Sequence, residues 1–179
     1  MIDKLNQEFE EIFDFFHKNV LELAKKVSQV ALMIMIRTNK DLYQFVIKFK
    51  TAEEKDQSIK EIAKIIAKKR EFPLLYFLAT EAYTVIADSQ EKAKEIEEFY
   101  KTHSLAEHPD KKEILLISGI NLVTLRNKTI IYFIDENRNF ILDDTQKFDT
   151  DDLRDWDDRL FRIFFFTWIN ETKKIEKGG

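Results

Sequence analysis

The sequence predicts an α+β domain, a mostly antiparallel sheet of about six strands with long N- and C-terminal helices packed on it. Three observations carry that expectation. Apolar residues recur at steps of three and four near both ends of the chain. Runs of β-branched residues separated by short polar turns fill the middle, and the order α, ββ, α, β, α, βββ, α lacks the regular alternation of a parallel sheet.

At the start, Leu5, Phe9, Ile12, Phe13, Phe16, Val20, Leu23, Ala24 and Val27 form one apolar stripe on a helix over 4–27. Acids lie early in it and Lys25 and Lys26 late, as the helix dipole favours. VALMIMIR, TNKD and LYQFVIKFK then read as a hairpin whose second arm turns Tyr43, Phe45, Ile47 and Phe49 to one face. Thr51 followed by Glu54 is a capping box, opening a helix that carries Ile59, Ile62, Ala63 and Ile66 inward and ends at Lys68, Lys69 and Arg70 before Pro73. PLLYFLATEAYTVIAD is a strand, apolar on both faces in its first half and therefore central. Asp88 or Ser89 caps a short charged helix over 90–101, and THSLAEHPDKK is a loop.

EILLIS, INLVTLR, TIIYFIDE and FILDD read as an antiparallel meander, the first two runs being either separate or one bent strand. Asp149 or Thr150 is expected to cap a last helix striped by Leu153, Trp156, Leu160, Ile163, Phe164, Thr167 and Trp168, with Asp155 to Arg159 and Asp158 to Arg162 as favourable pairs. No repeat or proline-rich linker interrupts the chain, so 1–179 reads as a single domain.

Composition narrows function mainly by exclusion. With 29 basic against 33 acidic residues, the chain has neither the excess of a nucleic-acid binder nor that of a polyacidic tail. It has no cysteine, hence no disulfide, thiolate metal site or cysteine nucleophile. Two of its three glycines are terminal, and Gly119 alone cannot supply a phosphate-binding loop or a GxSxG elbow. No apolar run of about 18 residues is present to span a membrane, and acids interrupt the N-terminus where a signal peptide would be apolar. The reading is a cytoplasmic protein. Isoleucine, lysine, glutamate and phenylalanine dominate, as they do in proteins from hot environments and equally in those of AT-rich genomes.

Glu81-Ala82-Tyr83, followed by His108-Pro109-Asp110-Lys111-Lys112-Glu113 at the entry to a later strand, resembles a family of bacterial and phage proteins of unassigned function. That family carries an EAW-like strand and then an HPDRxE-like segment. The likeness covers roughly 75–118 and departs at Tyr83, where the pattern has tryptophan, and where a lysine replaces the arginine. It implies no activity and points only to Glu81, His108, Asp110 and Glu113.

If the two strands are neighbours, those four side chains could chelate a divalent cation or act as acid and base. The plainer reading is a turn at Pro109 capped by Asp110, a solvated His108, and a Glu113 paired with a lysine. Asp14 and His17 lie one turn apart and read as exposed. Asp135-Glu136-Asn137-Arg138-Asn139 imitates the opening of a calcium loop, but Phe140 and Gln146 occupy the positions that need glycine and glutamate, so a hairpin turn is the better reading. The eight aspartates from Asp143 to Asp158 could meet a cation or basic partner, or complement a helix dipole. Lys60, Lys64, Lys68, Lys69 and Arg70 are diluted by acids and read as a solvated face rather than a nucleic-acid surface.

The last helix has more apolar surface than one stripe needs: Phe161, Phe165, Phe166 and Ile169 fall outside it, which suggests a homodimer or protein-partner contact. The leading expectation is therefore a non-catalytic interaction or regulatory module, self-associating and without a cofactor. The alternative is a metal-dependent hydrolase or nuclease built on Glu81, His108, Asp110 and Glu113, the one reading that requires a divalent metal.

Overall fold

The computed structural model describes residues 2–150 and 159–178. Its helices and strands are α1 (Ile2–Ala24), β1 (Leu32–Thr38), β2 (Leu42–Ile47), α2 (Ala52–Lys68), β3 (Pro73–Thr84), α3 (Gln90–Tyr100), β4 (Lys112–Asn121), β5 (Asn127–Ile134), β6 (Phe140–Thr150) and α4 (Arg159–Gly178), with a short 3-10 turn at Leu105–Glu107. The strands form one antiparallel sheet in the order β2-β1-β3-β4-β5-β6. The α+β class and the long terminal helices are as the sequence predicts.

β1 pairs with β2 on one side and β3 on the other, so α2 carries the chain over β1 to reach its far edge. Alternation along the strands sorts their side chains into two cores. On one face Met33, Met35, Leu75, Phe77, Ala79, Leu115, Ile117 and Tyr132 meet Phe9, Phe13, Phe16, Val20 and Ala24 of α1. On the other, Leu32, Ile34, Ile36, Tyr76, Leu78 and Ile120 meet Ile59, Ile62, Ala63 and Ile66 of α2 and Leu160, Phe161 and Phe164 of α4. β1 and the first half of β3 are apolar on both faces because helices cover both.

The helix starts are local. Thr51 Oγ1 accepts from the Glu54 amide at 3.1 Å, while the Glu54 carboxylate accepts from the Lys50 amide at 2.7 Å. Ser89 Oγ likewise accepts from the Lys92 amide at 3.1 Å. EILLIS runs on through Gly119 to Ile120 and Asn121 as the single strand β4, and β3 stops at Thr84, short of Asp88.

Asp149 and Thr150 are the last residues of β6, opposite Lys128 and Asn127, and the helix start expected just after them lies outside the described residues. Arg126 holds the Asp149 carboxylate with two nitrogens at 3.1 and 3.2 Å, so the acid that resembles a cap serves the sheet. Leu153, Asp155, Trp156 and Asp158 lie outside the described residues; Arg159 pairs with Asp56 of α2.

Gly119 faces α1 directly opposite Phe77. A β-carbon there would sit 2.6 Å from Phe77 Cδ1 and 2.9 Å from Phe13 Cδ2, both in rings walled in on every side. Gly119→Ala is expected to lower stability by about 2 kcal/mol through overpacking, measured by urea denaturation.

His17 also points into this layer, its Nε2 lying 2.7 Å from the Tyr132 hydroxyl. It is therefore not the exposed residue expected from its place beside the stripe. Burial holds its pKa below the ordinary imidazole value; Lys128 and Lys147 add to that, and Asp14 opposes it. Burial also raises the Tyr132 pKa, keeping a proton available to donate to the neutral ring. The unfolded chain binds the histidine proton more readily than the folded one. Stability from this site is thus full above the unfolded value near 6.5 and is lost as pH falls from there toward the lower folded value. His17→Gln should flatten the melting temperature over that window, measured from pH 7.5 to 5.

Candidate functional site

The four residues singled out from the sequence divide into two groups. Glu81 on β3 and Glu113 on β4 lie on the α1 side of the sheet, beyond the helix end. Arg138, at the tip of the β5–β6 hairpin, reaches over them. Its Nη2 meets Glu81 Oε1 at 2.6 Å and its Nη1 approaches Glu81 Oε2 at 3.5 Å and Glu113 Oε1 at 3.7 Å. The Glu81 side chain is only 3% exposed, and the guanidinium is its closest charged partner. The same contact raises the Arg138 pKa.

His108 and Asp110 belong to the other group. His108 is buried, against the expectation of a solvated loop residue: its ring stands edge-on to Phe99 at 4.8 Å, and its Nδ1 accepts from the Asp110 amide at 3.0 Å. That bond leaves Nδ1 without a proton. Asp110 pairs with Lys92 of α3 at 2.5 Å, which holds its carboxyl below the usual range. Glu113 faces an arginine rather than a lysine. Each of the four is engaged within the chain, and among the described residues no group of three or more histidines, cysteines, aspartates or glutamates could hold a metal ion.

The calcium-like segment is a hairpin turn. Asp135 Oδ1 accepts from the amides of Asn137 and Asn139 at 2.9 and 2.8 Å, and Oδ2 from the Asn139 side chain at 2.8 Å. These bonds keep the Asp135 carboxyl below its ordinary pKa. Arg138 occupies the left-handed position of this turn, with φ 60°.

α4 divides its surplus aromatics between the core and water. Phe161 is buried, edge-on to Tyr76 at 5.3 Å, and Phe165 is half-buried, stacked on Phe161 at 5.5 Å and Trp168 at 6.0 Å. Ile169 is half-buried. Phe166 is 61% exposed.

The cleft that sequence reasoning missed lies where α2 ends against the second half of α4. The last turn of α2 closes with the Arg70 amide donating to Ala67 O at 2.8 Å and the Glu71 amide to Ile66 O at 3.4 Å. This is the pairing that normally places glycine at the left-handed position. Here that position is Arg70, with φ 54°, where an L residue costs roughly 1 kcal/mol against glycine. Glu71 anchors the floor: its carboxylate accepts from Thr38 Oγ1 at 2.6 Å and from the Tyr43 hydroxyl at 3.0 Å, and its carbonyl from Trp168 Nε1 at 3.1 Å. Phe72 stands edge-on to Trp168 at 5.7 Å, and the cleft encloses about 480 Å³. The one signal in the sequence was an arginine at a helix end where glycine is usual. Compared with known proteins, the chain matches no family model, no curated protein and no solved structure.

Proposed function

We propose that the protein is a non-catalytic interaction module that associates with a second copy of itself through the solvent side of α4. The observation that carries this reading is Phe166, a large aromatic side chain 61% exposed in the middle of a helix whose other aromatics are at least half sheltered. Beside it lies a shallow hollow lined by Ile163, Thr167 and Asn170, with Lys60 and Arg162 on its rim. Two copies related by a two-fold axis would each insert Phe166 against the hollow of the other, a self-complementary contact with an apolar centre and a polar rim. Engagement of Glu81, Glu113, His108 and Asp110 within the chain supports a role without chemistry of their own. Among the described residues no helix is long and apolar enough to cross a membrane.

Light scattering across a concentration series tests the proposal. The parent mass is expected to rise toward twice the monomer, and Phe166→Asp to remain monomeric with an unchanged melting temperature. A parent that stays monomeric at the highest concentration overturns the reading.

A further inference from the structure

We propose that the cleft between the C-terminal ends of α2 and α4 binds a small ligand consisting of a flat aromatic ring that bears a single carboxylate. This goes beyond self-association and stands independently of it, because Phe166 does not line the cleft.

The walls specify the ring. Phe72 is half-exposed and Trp168 lies edge-on to it, so together they present two aromatic surfaces at an angle, extended by the aliphatic Ile175. The indole N–H is already committed to the Glu71 carbonyl, which leaves the indole to offer apolar surface rather than a hydrogen bond. A volume of about 480 Å³ admits two fused rings with a short substituent.

The polar groups specify the charge. Thr172 Oγ1 is buried with no hydrogen-bond partner, an unmet donor and acceptor on the α4 wall. Arg70 lines the opposite side, exposed and without an ion pair among the described residues. Its guanidinium is planar and matches a carboxylate with two parallel hydrogen bonds. Lys68 and Lys69 already place positive charge at the end of α2, so dipole complementation does not by itself call for a third cation there. Glu176, also lining the cleft, adds one negative charge and so disfavours a doubly charged phosphate relative to a monoanion.

The test is a titration of the full chain with 2-naphthoate, followed through the tryptophan side-chain N–H signals in proton–nitrogen spectra; the signal that Trp168→Phe removes is that of Trp168. Parallel titrations use 2-naphthylmethylamine, which reverses the charge, and 2-naphthyl phosphate, which doubles it. Saturable displacement of the Trp168 signal by 2-naphthoate is expected, with weaker binding of both other probes. Arg70→Gly should weaken 2-naphthoate about tenfold or more while leaving the melting temperature equal or higher, since glycine relieves the left-handed backbone. That combination separates lost binding from lost folding. No saturable displacement of Trp168, equal or tighter binding of the amine or the phosphate, or full affinity in Arg70→Gly would each overturn the proposal.

Discussion

Phe77→Ala is expected to remove about 4 kcal/mol of stability. Phe77 is fully buried at the centre of β3. Its ring is stacked on Phe9 at 5.6 Å and tilted against Phe16 at 6.1 Å and Phe13 at 6.4 Å. Four aromatic rings thus meet in the layer between α1 and the sheet, and the backbone of β4 opposite is bare at Gly119 to admit them. Truncation leaves a cavity that those rings cannot fill without leaving their rotamers. The loss should appear in urea unfolding as a lower midpoint with an unchanged slope. A second arm tests the cause: in the Phe77→Ala background, Gly119→Ala should become neutral or stabilising, because the new methyl enters the space the ring vacated. Additive losses in the double variant would show that the two positions do not share that space.

Arg138→Met is expected to cost about 3 kcal/mol. Methionine keeps an unbranched apolar stem at residue 138, a position with φ 60°, and removes the guanidinium. Without it the Glu81 carboxylate, almost wholly sheltered, loses its closest partner. Glu81→Leu combined with Arg138→Met should recover most of the loss, since removing both charges also removes the desolvation that each imposed. The measurement is a double-mutant cycle by chemical denaturation; a coupling near zero would show that Glu81 reaches water in the variant.

The architecture was legible because most of its elements rest on periodic or nearest-neighbour signals. The stripe from Phe9 to Val20, the capping box at Thr51, the N-cap at Ser89 and the alternation along Tyr43, Phe45 and Ile47 are all decided within a few residues. The extension of β6 was hidden because Asp149 and Thr150 carry cap chemistry, while Arg126, which claims Asp149, lies on the far side of a hairpin. The site was less legible still. Glu81 and Arg138 are 57 residues apart, and only strand order brings them together. His108 gave no sign of burial, because its shelter comes from Phe99 on another element. Aromatic surplus on α4 was visible as a quantity, but which rings face inward depends on Tyr76 from the middle of the sheet.

Because β1 sits between β2 and β3, the hairpin that leaves the ribosome first cannot finish its hydrogen bonding until β3 follows it. α1 waits longer, since its docking surface includes Leu115 and Ile117. A nascent chain arrested between β2 and β4 therefore holds Phe9, Phe16, Met33 and Met35 in water together. That apolar surface stays open to aggregation until β4 arrives to complete the face on which α1 docks.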